Sequence, residues 1–278
     1  MNTVRIPMGD YVETIVDFML ANFGFFFDWL DNIVYSTVMA VEGGLAAVPF
    51  LVFVLVVAAA AWKLAGRGVA VFTLIGFFLV HNMGLWSHAV QTLALVLTAE
   101  LITLILGLPL GILVAKRSRV DQVVRPILDF MQTMPAFVYL IPAVMFFSLG
   151  RVPGIMATII FSMPPMIRLT ALGIKQVPED LVEAGHAFGV TPSQLLFKVE
   201  LPHALPTIMA GINQSIMLGL SMVVIAAMIG AGGLGSMVLR GVQRVDVGMG
   251  FESGLAVVIL AIFLDRVTQS LGVRKTNA

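Results

Sequence analysis

The sequence predicts an all-α protein that crosses a membrane several times, and two observations lead to this fold class. Hydrophobic residues make up 59% of the 278 residues and charged residues only 12%, whereas soluble domains carry about 25% charged residues. Apolar stretches of about 20 residues, the length of a helix that spans a bilayer, recur along the chain. Each segment is therefore interpreted with the bilayer as its solvent.

The overall charge gives no information about partners, because Lys and Arg together number 16 and so do Asp and Glu. The absence of cysteine excludes disulfides and thiolate metal sites. No basic region precedes an apolar core at the N-terminus, so we expect no cleavable signal peptide.

Residues 1–44 do not form a simple predicted span. Acidic residues interrupt the apolar ones throughout this segment, at Asp10, Glu13, Asp17, Asp28, Asp31 and Glu42. Residues 23–30 are aromatic and apolar with one charge. Such a mixture is typical of amphipathic helices in the membrane interface. We therefore predict one or two interfacial helices outside the membrane; a globular N-terminal cap on the bundle is the alternative.

Seven later stretches are apolar enough and long enough to cross the membrane. They cover residues 45–64, 69–86, 89–115, 127–149, 153–174, 206–230 and 254–271. The first two form a predicted pair of N-terminal transmembrane helices (45–86), followed by a core (87–272) and a short cytoplasmic tail (273–278).

Basic residues predict the orientation in the membrane. One side holds most of them: Lys63, Arg67, Lys116, Arg117, Arg119, Arg125, Arg168, Lys175, Lys198, Arg266, Arg274 and Lys275. The other side holds only Arg5, Arg151, Arg240 and Arg244. Because cytoplasmic loops carry the excess of Lys and Arg, we predict an external N-terminus and a cytoplasmic C-terminus.

The longest polar interval in the second half of the chain, residues 178–206, predicts two short helices set at an angle; we call it the elbow. Its first residue is a proline, which suits a first helical position, and two acidic residues follow, which suit the helix dipole. Gly189 is placed to end that helix in a left-handed conformation. Thr191 and Gln194 form a predicted capping box around a proline. We expect Pro202 and Pro206 to hinge the second helix into the next span, which makes the elbow a rigid docking element.

One acidic residue, Glu100, lies in the middle of a predicted span. A lone charge there costs about 2.5–3.5 kcal/mol on insertion scales, so it should face the bundle interior or water. One interpretation is a lining residue that attracts a cationic head group. The interpretation we favour is a structural hydrogen bond to a facing polar or backbone group.

Prolines and polar residues in four spans suggest a translocation path. Pro135, Pro142, Pro164 and Pro165 predict kinks, and such breaks are tolerated where neighbours or a water-filled path satisfy the backbone. Aromatic faces there would attract quaternary ammonium groups, although packing is the more ordinary role. The path candidates are Glu100, Gln132, Thr133, Pro135, Phe137, Tyr139, Asn213, Gln214 and Ser221.

The glycine-rich segment at 230–241 is unsuited to crossing and predicts an external re-entrant segment or loop, either an outer gate or a docking surface. Signatures of enzymes are missing from the sequence: it contains no phosphate-binding G-x-x-x-x-G-K-[ST], no H-E-x-x-H and no G-x-S-x-G. The four histidines have no metal-ligand spacing. We therefore expect a chain without catalytic residues, metal site or ATP site of its own.

The elbow resembles the EAA motif of ABC importer permeases. That motif reads E-A-A, three residues, G, nine residues, I, one residue, L-P. The residues that carry the resemblance are Glu183, Ala184, Gly185, Gly189, Val199, Leu201 and Pro202. Gly185 and Val199 depart from the motif conservatively. In that family this loop inserts into a groove of the ATPase subunit, so the resemblance implies that these residues couple the chain to an ATPase. The alternative is a loop that packs on its own bundle.

From about Trp86 onward the chain looks like the methionine-importer-like five-helix core of a type I ABC importer. It is more closely similar to permeases of glycine betaine/proline (osmoprotectant) uptake systems. Five stretches carry this likeness, at residues 107–115, 125–142, 159–170, 220–235 and 257–269. The resemblance implies a fold of that core with about two extra N-terminal transmembrane helices and an interfacial N-terminal helix.

The resemblance also implies partners and a location. A second copy of the chain, two ATPase subunits that use ATP and Mg, and an external substrate-binding protein would complete the importer in the lipid of a bacterial inner membrane, without nucleic acid. The cargo would be glycine betaine, proline betaine, choline, carnitine or trimethylamine N-oxide. The alternatives are a permease for another small solute such as an amino acid, an ion-coupled secondary transporter, for which one mid-span carboxylate is poor support, and an intramembrane enzyme.

Overall fold

A computed structural model describes residues 7–273, and within these residues every regular element is helical. Arg5, Arg274, Lys275 and most of the predicted tail lie outside the described residues. The helices are α1 (Met8–Ala47), α2 (Phe50–Ala65), α3 (Arg67–Asn82), α4 (Trp86–Lys116), α5 (Ser118–Thr133), α6 (Ala136–Phe147), α7 (Arg151–Lys175), α8 (Glu179–Ala187), α9 (Pro192–Leu195), α10 (Leu201–Ala227), α11 (Gly233–Arg244) and α12 (Val247–Val273). A π-helical turn, Leu196–Glu200, joins α9 to α10.

Four helices of the described chain are long and apolar enough to cross a membrane by length and composition. They are α4, α7, α12 and the continuous helix Pro192–Ala227, which contains α9, the π turn and α10. Two further pairs of helices, α1 with α2 and α5 with α6, are long and apolar enough only when the two helices of a pair are counted together. These pairs bend by 99° and 102°. The structure therefore gives four spans, or up to six if each bent pair counts as one, where the sequence predicted seven.

Three predicted spans differ from the structure. The predicted span 69–86 corresponds to α3, which has only 16 residues and is too short to count as a span. The other two differences occur at X-Pro sites. The predicted span 45–64 begins inside α1, a single helix of 40 residues, and the chain turns at Val48 and Pro49. The predicted span 127–149 breaks at Met134 and Pro135. The residue before each proline is extended, with ψ of 124° and 133°, because a following proline disfavours the helical region.

The other predicted proline kinks do not interrupt their helices. Pro142 lies within α6, and Pro164 and Pro165 lie within α7, which runs unbroken over 25 residues. Neighbouring helices in a membrane protein stabilise such prolines by packing around them. The break at Pro135 is thus the one predicted site in the path at which a helix ends.

The core is built around α7, which packs between α4 and α10. Small residues allow the backbones to approach closely, as expected where van der Waals packing holds helices together in lipid. At Gly111 on α4, an added Cβ would lie 2.6 Å from the Cβ of Thr170 on α7. The second half of α1 covers the other side of α4 and α7 through Val34 and Val38.

Candidate functional site

The first helix of the elbow, α8, ends at Gly189 as the sequence predicts. Gly189 has φ +71°, which is the left-handed region that glycine adopts without cost. Its N–H donates to the carbonyl of His186 at 2.9 Å, and the N–H of Val190 donates to the carbonyl of Gly185 at 3.2 Å. These two bonds form a Schellman motif, which closes the helix and fixes the direction of the chain.

The second helix of the elbow begins with the predicted capping box. The backbone N–H of Gln194 donates to the hydroxyl of Thr191 at 3.3 Å, and the backbone N–H of Thr191 donates to the side chain of Gln194 at 2.9 Å. Pro192 occupies the first helical position. Local sequence signals therefore determine both ends of the turn between the two helices.

The predicted hinge at Pro202 and Pro206 is wrong. The helix continues from α9 through the π turn into α10, and both prolines lie inside it. In an α-helix the ring of Pro202 would clash with the carbonyl of Lys198, and Lys198 lies within the widened π turn. There the N–H of Leu201 bonds back to Leu196. The π turn lets the helix pass the proline, so the second half of the elbow is the first part of a membrane helix.

Gly185 marks the closest approach between the two helices of the elbow. An added Cβ there would lie 2.7 Å from Cδ1 of Leu195 and 3.3 Å from Cγ2 of Val190. Leu195 is buried, so it cannot move freely to make room. The departure from alanine at this position therefore has a local packing reason.

Two motif residues and two phenylalanines form the outer surface of the elbow, whereas Val199 and Leu201 are partly buried. Glu183 and Ala184 are exposed. Phe188 is 88% exposed and Phe197 is 64% exposed. Sequence reasoning missed both rings, although a phenylalanine beside the turn glycine was a visible signal. Exposed aromatic side chains of this kind in a polar loop indicate a binding surface.

The base of the elbow is attached to the bundle by an ion pair that sequence reasoning also missed. Glu200 is buried, and its carboxylate lies 2.5 Å from Nζ of Lys116 at the end of α4. The two residues are 84 positions apart in the chain, so no local pattern reveals the contact. A displacement of the elbow is therefore passed to α4 as well as to α10.

Glu100 is buried inside the bundle, with 5% of its surface exposed. One carboxylate oxygen accepts a hydrogen bond from Oγ of Ser215 on α10, at 2.8 Å. Gly219, one turn further along α10, makes room for the other oxygen, which lies 2.9 Å from where a Cβ would be. The carboxyl group of Glu100 thus joins α4 to α10 where the two helices are closely packed. This geometry favours a structural hydrogen bond over a role in lining a path.

The path candidates around the α5–α6 bend differ in their contacts, and among them only Tyr139 is buried. Gln132 accepts a hydrogen bond from the guanidinium of Arg168 on α7 at 2.6 Å. The buried Tyr139 donates to the carbonyl of Met134 at 3.3 Å. Thr133, Pro135 and Phe137 are exposed. Arg168 also pairs with a carboxylate of α5, so polar contacts hold the C-terminal half of α5 on α7.

The three candidates on α10 do not share one environment. Asn213 donates to the carboxylate of Asp265 on α12 at 2.7 Å and accepts from Thr268 at 2.8 Å. Gln214 and Ser221 are exposed and lie seven residues apart, which places them on one helical face. The structure therefore brings Asn213 to a helix contact and leaves Gln214 and Ser221 on an uncovered face.

Comparison of the sequence with known proteins identifies a family that it matches. The model of the family described as binding-protein-dependent transport system inner membrane component matches residues 107–273. This match covers every element from α5 to α12 and the last part of α4.

Several known relatives are similar over nearly the whole chain. The glycine betaine transport system permease protein OpuAB of Bacillus subtilis is 54% identical over 98% of this chain and 97% of its own length. The glycine betaine/carnitine transport permease protein GbuB of Listeria monocytogenes is 51% identical over 97% and 96%. The glycine betaine/proline betaine permease protein ProW of Escherichia coli is 51% identical over 96% and 75%.

A solved structure is similar in fold. The inward-facing MetNI methionine ABC transporter superposes with a TM-score of 0.58 and 23% identity, over 66% of this chain and 90% of that one. The helical core described above is therefore one that occurs in an ABC importer.

Proposed function

The chain belongs to the binding-protein-dependent transport system inner membrane component family, and from that premise we propose that it imports glycine betaine or a related methylated amine as the permease subunit of an ATP-driven importer. The predicted family and the predicted fold, a type I ABC importer transmembrane domain, are confirmed. The observation that carries the choice of cargo is 54% identity to a glycine betaine permease over 98% of the chain.

The elbow supports the coupling role of this subunit. Its two helices are fixed by a Schellman motif and a capping box, and its surface presents Phe188 and Phe197. A rigid element with exposed rings suits docking in a groove of an ATPase subunit. Because Glu200 and the continuous helix connect the elbow to α4 and α10, closure of the ATPases would move the membrane helices directly.

The remaining partners follow from the same proposal. Two ATPase subunits bind and hydrolyse ATP with Mg, and an external binding protein delivers the cargo. A second copy of the chain covers the exposed face of α10 that carries Gln214 and Ser221, so that the path lies between two copies. The N-terminus lies outside a bacterial inner membrane and the C-terminus in the cytoplasm, in agreement with the basic residues.

Reconstitution tests the proposal. The chain, its ATPase subunits and its binding protein are placed in vesicles, and ATP hydrolysis and uptake of labelled glycine betaine are measured. We expect hydrolysis stimulated by the loaded binding protein and uptake that requires ATP. Stimulation by an amino acid in place of every methylated amine would contradict the cargo. Uptake driven by an ion gradient without ATPase subunits would contradict the transporter class.

A further inference from the structure

Another Schellman motif lies at the opposite end of α10 from the elbow. It ends α11, where the N–H of Val245 donates to Val242 at 3.2 Å and the N–H of Asp246 donates to Gly241 at 2.9 Å. The residue in the left-handed position is Val245, with φ +55° and ψ 32°. We call residues 244–247 the distal turn.

Valine is an unfavourable choice for this position. Glycine is usual there, as at Gly189 in the elbow, and a β-branched residue at positive φ is a true outlier. The side chain of Val245 is 83% exposed, so packing within the described chain does not compensate for its backbone strain. Strain of this kind persists at binding and switching sites, which points to a contact outside the chain.

The surroundings of Val245 form a surface of mixed character. Every residue from 242 to 248 is exposed. Val242, Val247 and Phe251 add apolar area that is 69–82% exposed. Arg240 and Arg244 are four residues apart on α11 and exposed, and among the described residues neither has a carboxylate within ion-pair distance. Aromatic, apolar and arginine side chains together are typical of protein interfaces.

The position of the distal turn favours water over lipid. α10 has 27 residues, so it rises about 40 Å from the elbow, and the turn lies at the far end. Glu252 is exposed on α12, and an exposed charge does not lie in the hydrocarbon region. Val247 lies five residues before Glu252 on the same helix. The turn therefore lies about 7 Å further from the membrane centre than Glu252 does.

The distal turn is also firmly mounted on the bundle. The N–H of Leu234 at the start of α11 donates to Oγ1 of the buried Thr92 on α4 at 2.8 Å, and the N–H of Gly233 donates to the side chain of Gln91 at 3.2 Å. Gly241 and α12 are so close that an added Cβ would lie 2.7 Å from Gly250. A force on the turn therefore reaches α4, the helix that also contacts the base of the elbow.

We infer that the distal turn is the docking surface for the substrate-binding protein, with Val245 as the apolar anchor and Arg240 and Arg244 as flanks that face acidic groups of that partner. The inference rests on the proposed function, because the external binding protein is the partner which that family requires. The surface carries charges of both signs, because Asp246 and Glu252 are exposed beside the two arginines, so Arg240 and Arg244 would face acidic groups within a partner surface of mixed charge.

The test measures the rate of ATP hydrolysis by the reconstituted importer at increasing concentrations of loaded binding protein. Val245→Asn and Val245→Gly remove the anchor and relieve the strain, since both residues tolerate positive φ. We expect about a tenfold rise in the half-maximal binding-protein concentration with the maximal rate retained. The thermal melting temperature should stay unchanged or rise. If Val245 had only a structural role, the melting temperature would behave in the same way, but the half-maximal concentration of binding protein would not change. That outcome would overturn the inference.

Charge provides an independent readout. Arg244→Gln should also raise the half-maximal concentration and should reduce its dependence on salt, because rim charges act mainly through screened attraction. Arg125→Gln, an exposed arginine on the cytoplasmic part of α5, is the matched control and should leave the binding-protein titration unchanged.

A probe distinguishes the competing occupants. The chain has no cysteine, so Val245→Cys gives a single labelling position for an environment-sensitive fluorophore. A spectral shift on adding loaded binding protein supports the inference. A fluorophore already buried in lipid, or in contact with a second copy of the chain, would overturn it. Binding protein that fails to stimulate even the unchanged importer would overturn the proposed function as well.

Discussion

Gly189→Val tests the elbow sharply, because it alters backbone conformation without creating a contact. Gly189 has φ +71°, and an added Cβ would meet nothing within 4 Å. A left-handed conformation costs an L-residue about 1–2 kcal/mol, and a β-branched residue lies at the upper end. A cost of about 2 kcal/mol lowers the population of the native turn roughly 30-fold relative to competing conformations.

The assay is assembly of the membrane-inserted chain with its ATPase subunit, titrated in nanodiscs, together with uptake. We expect normal insertion and a 10- to 30-fold weaker assembly. Ala187→Val is the matched control: it adds the same side chain at an exposed helical position, where the cost is below about 1 kcal/mol. Gly189→Asn should assemble nearly normally, since asparagine tolerates this conformation. Wild-type assembly and transport by Gly189→Val would refute the role assigned to the turn.

Three further predictions concern residues around the elbow and the buried carboxyl. Phe188→Ser should leave insertion unchanged and weaken ATPase assembly at least about tenfold; equal assembly would show that the ring is not in the interface. Gly185→Ala should destabilise the elbow by about 1–3 kcal/mol through crowding of Leu195, and Leu195→Ala in the same chain should recover part of the loss in assembly. Glu100→Gln keeps the acceptor for Ser215 and should retain near-normal uptake; a large loss for cationic cargo at normal expression would favour a lining role.

Local signals in the sequence were sufficient for the turn of the elbow. Gly189 and the Thr191 capping box each act over a few residues, so their spacing predicts the geometry that the structure has. The sequence did not predict the unbroken passage through Pro202. That passage depends on a π turn next to an ion pair between the buried Glu200 and Lys116, whose partners are 84 residues apart.

The candidate path was the least predictable part, because exposure in a bundle depends on which helix faces which. Asn213 and Gln214 are neighbours in the sequence, and both are polar amides. The structure gives Asn213 a partner in Asp265 on α12 and leaves Gln214 exposed. Apolar periodicity cannot separate them, since α12 approaches α10 through tertiary packing. Whether any candidate contacts cargo stays a prediction.

The helix Pro192–Ala227 is continuous, so a change of angle between helices cannot occur at Pro202, where a hinge was predicted, and must occur beyond Ala227. Its 36 residues form a rod of about 54 Å, so tilting the elbow tilts the whole rod. Flexibility at Pro202 is not needed, and the chain next changes direction at Gly230, Gly232 and Gly233, all with positive φ. These glycines lie directly before α11, and the distal turn lies at the other end of that helix. A movement driven by an ATPase at one end would therefore be converted into a change of angle at the other end, beside the surface inferred to hold the binding protein.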